Sequence, residues 1–309
     1  MRLATAPDPG PMVAEVVRPG AGGRVALIDV DGLLLNQNLA GLYSVGENPV
    51  AAFREKLEAA ARDPSVRAVV VRVNSPGGGV TASDLMAEEL RRFRAATKKP
   101  AVACLLDLAT GGAYDLAVGC DHLVALPTSV VGGVGAVVNH YNLEDAMAQL
   151  NVTADPVKAG ELVDMGSVTR PLPDDVRALL QDMADSFRDR FAARVFEHRR
   201  AMTAADRKTV ADGRVVAASK ALALHLIDRI GYLDDAIALA EHLAGLDRAE
   251  VVLYHRRGQA GRSIYAVTPN VPIQSEIVPF SYPGLDRNKL PTFLYLWQPD
   301  PTVTRLGGR

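Results

Sequence analysis

Val69-Val70-Val71-Arg72-Val73-Asn74-Ser75-Pro76-Gly77-Gly78-Gly79 decides how this chain is read. Four valines within five residues suit a strand covered on both faces, because β-branched side chains pack well on a buried pleat. Pro76 lacks an N–H and fixes its own φ, so the strand is expected to stop there. The glycines that follow permit positive φ and let another backbone come close. A helix is expected next, from Thr81, with Thr81 and Asp84 at capping-box spacing and Ala82, Leu85, Met86, Leu90 and Phe93 at helical intervals. A strand, a glycine turn and a helix start together aim N–H groups at whatever sits above the turn. Such a turn suits a phosphate, a carboxylate or the oxyanion of an acyl transfer, or is simply a tight connection. No Lys-Ser/Thr follows the glycines and no Gly-x-Gly-x-x-Gly spacing is present, which disfavours a nucleotide.

The chain has 309 residues, is 48% hydrophobic and 23% charged, and carries a net charge of -2. That is an ordinary globular composition. Near-neutral charge and 5% aromatic residues give no reason to expect nucleic acid. Cys104 and Cys120 read as buried thiols of a reducing compartment, and no histidine stands at zinc-ligand spacing from them. No cofactor or metal is expected. No signal peptide and no apolar run of spanning length is read, so a cytoplasmic location is expected.

Outward from the opening stretch, strands are expected at Arg24–Val30, Ala101–Leu106, His122–Leu126 and Val251–His255. Helices are expected at Asn48–Arg62, Thr81–Thr97, Ala113–Val118, Leu143–Leu150, Pro173–Ala201, Thr203–Ala211, Ala217–Leu226 and Asp234–Ala244. Strands alternating with helices argue βαβ units and a largely parallel sheet. The expected organisation is a leader over 1–23, an α/β domain over 24–246, and a C-terminal strand with an irregular tail over 247–309. The apolar end of that tail, Phe293-Leu294-Tyr295-Leu296-Trp297, is expected to dock in a groove.

Leu106-Asp107-Leu108-Ala109-Thr110-Gly111-Gly112-Ala113-Tyr114 follows a strand and opens a helix. A hydroxyl at such a turn is where a nucleophile is displayed; it can equally be a structural hydroxyl or helix cap. With Val131-Gly132-Gly133-Val134-Gly135, Val157-Lys158-Ala159-Gly160, Asp164-Met165-Gly166-Ser167, Asp212-Gly213-Arg214-Val215 and Leu226–Asp235, these motifs fall in one chain order over roughly 24–245. Together they resemble the signal-peptide peptidase A type of serine–lysine peptidase, within the Clp protease/crotonase fold. The resemblance implies an α/β spiral of ββα units with a helical C-terminal region. It also implies a ring-like homo-oligomer, because nucleophile and lysine come from neighbouring subunits or domains in these peptidases.

Position by position, the resemblance implies that the chemistry has changed. The family's serine nucleophile falls on Thr110, its lysine base on Val163, and the serine that hydrogen-bonds the lysine on Gly133. Valine accepts no proton, and a threonine hydroxyl is a poor nucleophile until a neighbour takes its proton. Lys158, His140 and His255 are the candidate replacement bases, each with a plainer reading as a surface or core residue. Gly77, Gly78, Gly79 and Gly111 remain as a possible oxyanion and peptide-binding turn. The expectation is a peptidase-family protein with weak or no proteolysis that binds extended peptides, itself, or an active paralogue. The alternatives are a threonine peptidase with a substitute base and a crotonase-type acyl-CoA enzyme.

Overall fold

The structure is a computed structural model and describes residues 10–38, 47–256, 261, 263–266 and 293–297. Its centre is a sheet in the order β1-β9-β2-β3-β4-β5-β8, with β1 Val13–Arg18, β2 Arg24–Leu34, β3 Val66–Gly79, β4 Ala101–Thr110, β5 His122–Ala125, β8 Arg229–Ile230 and β9 Glu250–His255. All neighbours are parallel except β1, which runs antiparallel to β9 at the edge. The helices are α1 Pro49–Arg62, α2 Val80–Thr97, α3 Gly112–Ala117, α4 Glu144–Gln149, α5 Asp174–His198, α6 Ala204–Val210, α7 Ala218–Ala223 and α8 Leu233–Leu243. Short strands β6 Val130–Gly132 and β7 Val215–Ala217 pair with each other, and β10 Leu294–Leu296 pairs with β3.

β3 is the buried strand that the valines suggested. Val69, Val70, Val71 and Val73 are all fully buried, and each such side chain contributes about 1.5–3 kcal/mol. Their alternation feeds two cores: Val69, Val71 and Val73 face one cluster with α1, α2 and α3, while Val70 faces the other with α8. Arg72 is buried in the same strand, directly across from Asp29 of β2. Its Nε donates to Asp29 Oδ1 at 2.6 Å, and its other nitrogens donate to the carbonyls of Ile264 and Ala266. A guanidinium in an apolar sheet is tolerable only when paired this completely.

Several boundaries differ from the expectations. β3 does not stop at Pro76 but runs on to Gly79. The β2 ladder skips Pro76, shifting register between Asn74 and Gly77, and pairing with β4 ends at Ser75, so no N–H is required of the proline. α2 starts at Val80 behind Gly79, with no side-chain cap; Asp84 turns outward to Arg190 and Arg194 instead of closing a capping box. The span expected as leader contributes β1, and the expected C-terminal strand, β9, joins the same sheet between β1 and β2. Most of the expected tail lies outside the described residues. In α5, Leu179 is exposed, and Ala184 and Ala192 join Val176, Leu180, Phe191 and Val195 on the buried stripe.

Candidate active site

The groove arises where two central strands part company. β4 stays beside β3 only through Ser75↔Ala109 and ends at Thr110, while its opposite edge passes from β5 to β6, pairing Leu108↔Val130, Ala109↔Val131 and Thr110↔Gly132. That leaves the Gly77–Gly79 end of β3 with β2 on one side, through Leu33↔Gly77 and Leu34↔Gly78, and an open edge on the other. β10 fills this edge antiparallel, with Leu294↔Gly79, Tyr295↔Gly78 and Leu296↔Gly77. Val80 N donates to Phe293 O at 3.3 Å, and Trp297 N donates to Pro76 O at 3.1 Å. The alternation of an antiparallel ladder puts Tyr295 and Gly78 in the same hydrogen-bonded class as those two pairs. On its other side β10 exchanges bonds with Val137, N→O at 3.0 and 3.1 Å.

Two glycines make this approach possible. Gly77 has φ 102° and Gly111 φ 54°, and a Cβ on either would collide with the Tyr295 carbonyl oxygen. The backbone of the docked segment therefore lies against both halves of the turn, Gly77 from β3 and Gly111 from the β4–α3 junction. Gly77 N–H itself donates to Ser75 Oγ at 3.0 Å, and Gly111 N–H to Gly132 O at 2.9 Å. Thr110, the last residue of β4, is fully buried, and its Oγ1 has no hydrogen-bond partner. An orphaned buried hydroxyl is uncommon, because its desolvation costs about 1–3 kcal/mol.

A model of peptidase family S49 matches residues 94–247. A Methanocaldococcus jannaschii protein designated "Putative protease MJ0651" is 30% identical over 73% of this chain and 72% of its own length. The chain belongs to peptidase family S49. Protease 4 of Salmonella typhi is 30% identical over 92% of this chain, which spans 42% of that longer protein. The solved structure of a membrane-bound stomatin-specific protease is 13% identical, covers 72% of this chain and 86% of its own, and superposes with a TM-score of 0.45. The mixed α/β sheet, parallel through its centre with antiparallel pairing only at β1, β7 and β10, is the scaffold of this S49 chain.

The residues singled out in the sequence divide into those the fold gathers and those it leaves apart. Gly77, Gly111, Gly133 and Thr110 converge: a Cβ on Gly133 would lie 3.1 Å from Gly111 N and 3.7 Å from Thr110 Cβ. Val163 is 69% exposed. Lys158 Nζ is tied to Asp164 Oδ1 at 2.7 Å and Glu161 O at 3.0 Å. His140 Nε2 meets Ser167 O at 3.0 Å; His255 lies on β9, within 3.1 Å of Glu15 Oε2 and 2.6 Å of Arg256 O. Among the described residues none of these candidate bases hydrogen-bonds the Thr110 hydroxyl. Both cysteines are free, buried and pushed by burial to about 12, so they are inert thiols. No group of His, Cys, Asp and Glu among the described residues is arranged to hold a metal ion.

Sequence reasoning missed Asp115, one turn into α3 and almost wholly buried. Its Oδ2 accepts from Arg194 at 2.7 Å, while Oδ1 has no partner. Burial lifts its pKa to about 7 in spite of that guanidinium. Asp84 beside it goes the other way: burial opposes, but the hydrogen bonds from Arg194 and Arg190 prevail and hold its carboxyl below the usual range. The hint was available in Tyr114-Asp115, an acid in an otherwise apolar helix, but nothing in the chain order announces its partner on α5.

Proposed function

We propose that this S49 chain binds extended peptides along the Gly77–Gly79 edge of β3 and hydrolyses them weakly or not at all. One observation carries the reading: the hydroxyl in the nucleophile position, Thr110 Oγ1, is buried without a hydrogen-bond partner. A hydroxyl attacks a peptide carbonyl only while a base takes its proton, and removing such a partner costs about 10⁴–10⁶ in rate in measured triads. The candidate bases are engaged elsewhere: Lys158 by Asp164, His140 by the Ser167 carbonyl and His255 by Glu15. Main-chain pairing survives the loss of the base, because it needs only an open strand edge.

The assembly part of the reading rests on a different feature. From Gly135 through Asp175 no residue is buried, yet this arm carries Tyr141, Leu143, Leu150, Val152, Val157, Leu162 and Val163 exposed. Apolar side chains concentrated on one arm fit contact with a second copy. The family's lysine position, Val163, lies on that same arm, so a copy packed there brings a valine where a base is needed.

The test is incubation of the purified full chain with casein beside a Thr110→Ala control. The expected outcome is no cleavage that distinguishes the two. Cleavage lost in the control would mean that Thr110 works with a base from outside the described residues.

A further inference from the structure

The segment lying in the groove shows what the groove selects. Main-chain bonds to Pro76, Val80 and Val137 hold residues 293–297 whatever their side chains are. One side chain is treated differently. Tyr295 is only 1% exposed. Its ring packs 5.0 Å from that of Phe191 on α5. Its Cβ lies 3.5 Å from where a Cβ of Gly112 would stand, ordinary van der Waals distance, so the start of the side chain runs beside the N-terminus of α3. At the bottom, the phenol oxygen donates to the Phe187 carbonyl at 2.5 Å. Residues two apart on a strand share a face, and Phe293 accordingly meets Phe187 edge-on at 5.0 Å.

We infer that the space beneath Tyr295 is a specificity pocket for a tyrosine side chain of an extended peptide, preferably one with an aromatic residue two positions earlier. Phe293–Trp297 is this chain's own occupant of it. The pocket has apolar aromatic walls and one acceptor at its floor, which matches a phenol: flat, mostly apolar, with one donor at the tip. A phenylalanine would fill the walls and leave the floor acceptor without this donor; an alanine would leave a cavity; a lysine would desolvate a charge beside the Asp115–Arg194 pair. The phenol stays protonated at ordinary pH, since burial and the neighbouring Asp115 charge both raise its pKa. This inference rests on the peptide-binding reading above and adds the ligand's chemistry to it.

Trp297 is the only tryptophan in the chain and donates its backbone N–H to Pro76, so its emission reports whether the segment is docked. The full chain is titrated with the tryptophan-free peptide acetyl-Thr-Phe-Leu-Tyr-Leu-Gln-amide and with versions bearing Phe or Ala in place of Tyr. A fluorescein-labelled copy gives affinity by anisotropy. The tyrosine peptide is expected to shift Trp297 emission to the red and to bind about fivefold to tenfold tighter than the phenylalanine version and at least about 100-fold tighter than the alanine version. In the full chain carrying Tyr295→Ala, the labelled tyrosine peptide is expected to bind at least about tenfold tighter than to the wild type, because its competitor has lost its anchor. Should that variant fail to fold, Tyr295→Phe, which keeps the ring, is expected to give a smaller gain in the same direction.

Equal binding of the tyrosine, phenylalanine and alanine peptides would overturn the pocket's selectivity and leave the groove reading standing. Binding without any emission change, equal in wild type and variant, would overturn the assignment of Phe293–Trp297 as occupant. No binding of any peptide to folded wild type or variant would overturn the peptide-binding reading itself, and the pocket with it.

Discussion

Thr110 and Asp115 are five residues apart and have opposite electrostatic problems. Thr110 is a neutral donor with no acceptor, whereas Asp115 is an acid whose burial outweighs the cation beside it. The second has a consequence for stability. Unfolded, Asp115 titrates near its ordinary 3.8; folded, it keeps its proton up to about 7. Between those values the native state binds more protons than the unfolded state, so stability falls as pH rises through that window, by at most about 1.4 kcal/mol per pH unit. Asp115→Asn keeps the shape and removes the titration. Its melting temperature is expected to decline less than that of the wild type between pH 4 and pH 7, and parallel curves would show that Asp115 is not the group responsible. The convergence of Thr110 with the glycine turns was legible in the sequence as motifs of fixed order, and the structure brings Gly77, Gly111, Gly133 and Thr110 together. The isolation of the Thr110 hydroxyl was not legible, because it depends on which side chains from distant segments fail to reach it.

At the scale of elements, periodicity and β-branching served well wherever burial sets the pattern. The valine run of β3, the apolar face of α1 and the short helices after each glycine turn lie close to where the residue types put them. The failures share one cause, namely backbone that is paired by something remote in sequence. Pro76 reads as a strand end on local chemistry, yet the strand continues because β2 and β10 both offer partners to the glycines beyond it. Thr81 and Asp84 read as a capping box, yet Asp84 is drawn away by two arginines of a helix more than a hundred residues later. β1 was hidden in a Pro- and Gly-rich stretch because an edge strand of six residues is half exposed and shows little apolar run. The docking of Phe293–Trp297 was legible as a tendency, from an apolar cluster in a polar tail; its register against Gly77–Gly79 was not.

At the scale of the whole molecule, the exposed arm from Gly135 to Asp175 is the part that a single chain does not explain. If copies of this chain cover it, Leu150→Asp together with Val157→Asp should lower the molar mass seen by sedimentation, while both side chains, being solvent-exposed in one chain, leave the melting of the subunit nearly unchanged. An unaltered mass would count against the arm as the contact. Assembly is also the one route by which a base from another copy reaches Thr110, so the decisive measurement belongs on the assembled protein. It is the intact mass of wild type and of Tyr295→Ala, in which the docked segment has lost its side-chain anchor, after exposure to a fluorophosphonate that captures activated hydroxyls. Unchanged mass in both is the predicted result; a stoichiometric adduct mapped to Thr110 would contradict the loss of its base.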